Sequence, residues 1–260
     1  MSIKLTTLLT AYYIPLVRSS VVILGCIAVW WGIVAFPIFR QESSTKYIAD
    51  RIIAGDPFKV EILAQQLPLM KSIETSVYCN ATAIRSTAII RLRMLEAAAS
   101  ANERELFDER LKSFGKVIRS SLSCVPTDSF LWLALNWAGT TENGSNPNNL
   151  KSLWMSYRLG PNEGWIALKR NRLAFARFQQ LPPDLVEIAI TEFIALIENN
   201  FYEQAADILI GPAWPERELI LSRLARVSDR DRKLFADALD RRGYDVNAPG
   251  IARPGLPLRR

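Results

Sequence analysis

The residues with the most chemical potential lie between positions 126 and 178. Phe130, Trp132, Trp137, Trp154, Tyr157, Trp165, Phe175 and Phe178 form an aromatic series, with Arg158, Lys169, Arg170, Arg172 and Arg177 among them. Aromatic-lined concave faces hold peptides and stack on sugar rings. Trp132, Trp154, Tyr157, Trp165, Arg158 and Arg172 are therefore the candidate binding residues. The structural alternative is that the rings fill the core between helix layers. On one helix, Lys169, Arg172 and Arg177 do not share a narrow stripe, so several of these cations are expected in solvent.

The chain contains no histidine. That removes Ser-His-Asp and Cys-His nucleophiles, imidazole acid–base chemistry and histidine-ligated metals. Carboxylate pairs run glycoside hydrolysis without histidine, and Glu61, Glu74 and Glu163 are available for it. Acids at helix starts, such as Asp128 and Glu163, more often cap the helix and complement its dipole. The Glu-Ser helix and Gly-Leu-Met-Gln pattern of lytic transglycosylases are missing, and Glu42-Ser43 is a bare dipeptide. There is no phosphate loop, dinucleotide fingerprint or nucleophile elbow. No catalytic residue, metal ligand or cofactor is assigned, and the chain is expected not to be an enzyme.

There are three cysteines. Cys26 sits in an apolar run and reads as a small apolar residue. Cys79 and Cys124 are too far apart in sequence for a zinc motif. In an oxidising compartment they are the candidate disulfide; otherwise they are two buried thiols. Two Asn-x-Ser/Thr sequons, at Asn80 and Asn143, matter only in a eukaryotic secretory setting, and the style of the chain is bacterial.

These residues must be positioned by helices, and the first is of a special kind. Ser19 to Phe39 carries no charge and is closed by Arg18 and Arg40. About 20 apolar residues span a bilayer core. A buried core helix seldom runs so far without a polar face, and a signal peptide has a shorter apolar region followed by small residues at its cleavage site. Residues 19–39 are read as an uncleaved transmembrane helix in contact with the bilayer, and 1–18 as an N-terminal segment broken near Pro15. Pro37 marks a stop. Lys4 and Arg18 precede the span, while Arg40, Lys46, Arg51 and Lys59 follow it, so local charge does not set the usual orientation. Long domains translocate largely regardless of charge. A short basic N-terminus before one span and a long domain is the layout of an inner (cytoplasmic) membrane protein with a periplasmic C-terminal domain.

Beyond the span, apolar spacing predicts helices only. Residues 43–121 form a first helical part: Ser43–Gly55, a short helix from Asp56-Pro57 to Leu67 ended by Pro68, Ala81–Ala99, and Asn102–Ser121 capped by Asn102. Residues 126–240 form helix pairs. Pro126 and Pro161 each precede an acid, a tryptophan and an apolar helix. A helix at 148–159 lies between them, and helices follow at 163–178, 184–198, from 201, at 215–225 and at 228–239. Residues 241–260 form a basic, Pro-rich tail, expected to be disordered or extended. It carries Arg241, Arg242, Arg253, Arg259 and Arg260 against Asp245 alone, within a formal charge of +6. No folded basic face with stacking aromatics is visible, so nucleic acid is not an expected partner.

The Pro126–Pro161 interval of about 35 residues, with two helices and a proline per unit, resembles the tetratricopeptide repeat and its ~34-residue period. The resemblance covers about 100–130 residues in degenerate form: the tryptophans are out of register and the small-residue signature is incomplete. It implies an all-α chain, with an N-terminal transmembrane helix followed by an antiparallel helix-pair array, a TPR-like α-solenoid. A compact helical bundle is the alternative. The combination of one anchor, Pro-spaced Trp helices and a basic tail is similar to accessory proteins of bacterial envelope and exopolysaccharide systems. It implies a scaffold or assembly protein that binds a membrane complex or envelope assembly machinery. A carboxylate-dependent glycan enzyme and an assembly factor for a respiratory or cytochrome complex are the other classes.

Overall fold

A computed structural model describes residues 3–101, 103–144 and 146–246, with side chains of the first helix given for 15–36 and 43–53. Among these residues there are twelve α-helices and no strand. The expected tail beyond residue 246, the Asn102 cap and the second sequon's Ser145 lie outside them. The chain divides into two compact units, 1–90 and 91–260, with the division inside one helix.

In the first unit, α1 (Ile3–Ile53) is a single helix of 51 residues. The break expected at Pro15 and the stop at Pro37 do not occur. A proline costs a helix one N–H bond and about 3 kcal/mol, which the uninterrupted bonding on either side outweighs. The stop comes at Gly55, whose φ of +92° suits a residue without a Cβ. There Arg51 Nε donates to Asp56 Oδ2 at 2.6 Å and ties the helix end to the next turn. Within α1, Pro15–Phe36 is long and apolar enough to cross a membrane, and 0% of its most apolar stretch is buried. Leu24, Trp30, Trp31 and Ile33 are all exposed. That rules out a buried core helix. The last turns of α1 bury Thr45, Ile48 and Ala49, and α1 contacts α3.

The two short helices α2 (Val60–Ala64) and α3 (Leu67–Glu74) replace the one expected from Asp56 to Leu67. Pro68 begins α3 instead of ending its predecessor: at the first turn its missing N–H has no helical acceptor to lose. α4 (Ala81–Ser100) opens with Asn80 Oδ1 accepting from the Ala83 amide at 3.0 Å, and it crosses the division between the units.

The second unit holds α5 (Arg104–Cys124), α6 (Ser129–Asn143), α7 (Pro147–Leu159), α8 (Gly164–Phe175), α9 (Pro183–Glu198), α10 (Tyr202–Ile210), α11 (Arg217–Arg223) and α12 (Asp229–Arg241). Their starts follow local chemistry. Asp128 accepts from the Leu131 amide at 3.0 Å, Asn146 from Asn149 at 3.0 Å and Ser228 from Asp231 at 3.2 Å. Helix α6 ends at Gly144 with φ +71°, and α9 ends beside Asn200 with φ +68°. Sequential neighbours pack together, α5 on α6, α6 on α7 and α8 on α9. In addition α6 touches α8, α8 touches α10, and α12 covers α9 and α10. Phe175, Phe193 and Phe235 meet edge-on at 5.8 and 5.9 Å in the core shared by α8, α9, α10 and α12.

Candidate functional site

The strongest electrostatic feature is buried. Arg170 on α8 has no solvent exposure and forms an ion pair with Glu192 on α9, itself 7% exposed. Its register explains this: Ile166, Ala167 and Ala174 are buried on the same helix face, and Ala189 and Phe193 flank Glu192 inward. Arg170 Nε donates to both Glu192 oxygens at 3.1 and 3.2 Å. Nη1 donates to the Ser156 carbonyl at 2.6 Å and its hydroxyl oxygen at 3.1 Å, and Nη2 reaches the Gly160 carbonyl at 3.0 Å. Asn171 Nδ2 donates to Glu192 Oε2 at 3.1 Å, and Ser156 Oγ donates to the Ser129 carbonyl at 2.8 Å. The guanidinium stacks 4.4 Å from the Tyr157 ring.

This network links α6, α7, α8 and α9. Burial pushes the Glu192 carboxyl up, against the lowering effect of Arg170 and Asn171. Burial, helped by Glu192, also pushes the Tyr157 phenol well up, so it stays neutral. Its hydroxyl has no hydrogen-bond partner among the described residues. All three guanidinium nitrogens are used and none faces water, so the network is a structural clamp and not a reaction centre.

The open feature is a cavity of about 400 Å³. Phe130, Leu133, Ala134 and Trp137 of α6 line it, with Leu168 and Leu173 of α8. Leu92 and Glu96 of α4, Gln204, Asp207 and Ile208 of α10, and Lys169 and Arg172 of α8 complete the lining. The acids are engaged: Asp207 accepts from Arg242 Nε at 2.7 Å, and Glu96 lies 3.5 Å from Arg93 and 3.9 Å from Lys169. Arg172 is exposed and makes no ion pair among the described residues.

Of the six candidate binding residues, Arg172 lines this cavity, as do Phe130, Trp137 and Lys169 of the wider series. Trp132 is half-buried and donates from Nε1 to the Pro126 carbonyl at 2.8 Å, closing the turn before α6. Trp154 lies under Arg158, 4.8 Å from its guanidinium, and Tyr157 is buried in the clamp. Trp165 packs on Phe130 at 5.1 Å. Glu163 makes no side-chain cap bond; its Oε1 accepts from the Ser129 hydroxyl at 2.9 Å. Cys79 and Cys124 are both disulfide-bonded and Cys26 is a free, exposed thiol. No group of acids and thiols suited to a metal occurs among the described residues.

Sequence reasoning missed the clamp. Its signal was present: an arginine and a glutamate occupying apolar-face positions of neighbouring helices. Comparison of the chain with protein-family models, curated proteins and solved structures finds no match.

Proposed function

We propose that the chain is a single-pass membrane-anchored scaffold of the bacterial envelope, with no catalytic activity of its own. The observation that carries this reading is the exposed apolar helix: a long stretch of α1 buries nothing, while the helices that follow enclose a core. An apolar surface of that size needs lipid or a partner.

The helical part acts as a TPR-like solenoid. The contacts of α6 with α7 and α8, and of α8 with α9 and α10, favour stacked pairs over a compact bundle, with α12 rather than α11 packing on α10. The disulfide-bonded state of Cys79 and Cys124 favours a periplasmic, oxidising location for the helical part. The partner is a membrane complex of envelope assembly, with exopolysaccharide export as the leading pathway.

Carbonate extraction of membranes tests the anchor: the full chain is expected in the pellet, and Leu24→Arg with Ile27→Arg is expected to release it. A freely soluble wild-type chain trimmed near residue 40 would overturn the anchor. Detergent pull-down tests the scaffold, with a stoichiometric membrane complex expected. Loss of exported polysaccharide on gene deletion, restored by the wild-type chain, is the expected pathway result.

A further inference from the structure

Helix α8 carries Lys169 and Arg172 three residues apart, so both project from one side. Both line the cavity, as do Phe130, Leu133 and Trp137. The two acids in the wall already have arginine partners, Arg93 and Arg242. The contact of Lys169 with Glu96 is long, at 3.9 Å, and Arg172 has no anionic partner among the described residues. The cavity thus joins a largely apolar lining to Arg172, which lacks an anionic partner among the described residues, and to Lys169, held only by its long contact with Glu96. Its volume of about 400 Å³ falls in the roughly 300–1,000 Å³ range of small-molecule sites, and such sites occur between helices.

We propose that this cavity binds a single-chain anionic amphiphile, with its aliphatic chain on Phe130, Leu133 and Trp137 and its carboxylate or phosphate held by Lys169 and Arg172. A guanidinium offers paired N–H donors to either head group, and charge-assisted bonds of this kind are stronger than neutral ones. A half-open pocket of this size holds a short flexible apolar chain, whereas a polypeptide segment would need an extended groove. The site stands on the cavity and its charges alone, so it survives or fails independently of the scaffold reading.

The test uses the full chain in nanodiscs of neutral phosphatidylcholine and a diazirine-bearing decanoate as photoprobe. Peptide mass spectrometry is expected to map labelling to α6 and α8. Octanoate or octyl phosphate is expected to compete, the better competitor identifying the head group, while octanol competes at least tenfold less well. Arg172→Ala is expected to reduce labelling at least fivefold with an unchanged thermal transition, and Arg172→Lys to retain most of it. Because Arg172 is exposed, neither substitution disturbs the core. Equal competition by octanol, unchanged labelling in Arg172→Ala, labelling elsewhere or no labelling would each overturn the proposal. Labelling that falls with rising protein concentration would assign the cavity to a second copy, and labelling that rises in Leu256→Asp with Leu258→Asp would assign it to the chain's own C-terminal segment; either also overturns it.

Discussion

At the scale of single residues, Arg170 has more consequence than any tryptophan of the aromatic series. Its guanidinium joins two helices, α7 and α9, to its own, and Ser156 carries the link on to α6. Arg170→Met leaves the Glu192 carboxylate buried beside Asn171 without its counter-ion. We expect a loss of about 3–5 kcal/mol of unfolding free energy, read from denaturant titration of the full chain. Arg170→Met with Glu192→Leu removes both charges, and at least half of that loss should return. Equal destabilisation by the single and double variants would mean that packing, not charge, dominates. The cysteines give a second check at this scale. Non-reducing peptide mapping is expected to yield a linked Cys79–Cys124 peptide that dithiothreitol splits, with Cys26 open to alkylation.

At the scale of elements, the close approach of α6 and α7 depends on Gly139. A Cβ there would lie 2.4 Å from Asn149 Oδ1. Asn149 is held in place, since its Nδ2 donates to the Gly144 carbonyl at 2.8 Å and its own carbonyl accepts from Asn136 at 2.7 Å. Gly139→Ala must therefore push the two helices apart. We expect about 1–3 kcal/mol of destabilisation, visible as a lowered thermal midpoint, where the same change in an exposed helix would stabilise. Asp128→Ala removes the cap of α6 and is expected to cost about 1 kcal/mol. The cap at Asp128 was legible from sequence because a cap is a local bond. Glu163 was not, because its partner Ser129 lies on another helix and only folding brings the two together.

At the scale of the whole molecule, acid should loosen the C-terminal helices before the rest. Arg242 and Arg241 hold the Glu203 carboxyl below its ordinary 4.5. Ser228 and Tyr202 hold Asp231 below 3.8. A carboxylate with a depressed native value contributes stability that is complete above the unfolded value and is lost as pH falls through the native one. Stability from these groups should be constant from pH 7 to about 5 and decline below about 4.5. Glu192 works in the opposite sense: its raised native value makes its contribution fall as pH rises from 4.5 through that value. Hydrogen exchange resolved by peptide is expected to show α10 and α12 losing protection first on acidification. Uniform loss across α5–α12 would count against this local origin.

The order of the helices, the apolar stretch and the absence of imidazole chemistry could be read from residues alone, because each depends on neighbours along the chain or on composition. α1 illustrates the limit. Its apolar run was plain, but its continuation through Pro15 and Pro37 was not, since the cost of one proline is weighed against a whole helix. The destination of each polar side chain was decided only by tertiary structure. The same arginine-rich stretch yields one residue sealed in an ion pair, Arg170, and another that is exposed and lines a cavity, Arg172. Two positions along a helix rotate a side chain by about 200°, so core and solvent are separated by where neighbouring helices lie and not by residue type.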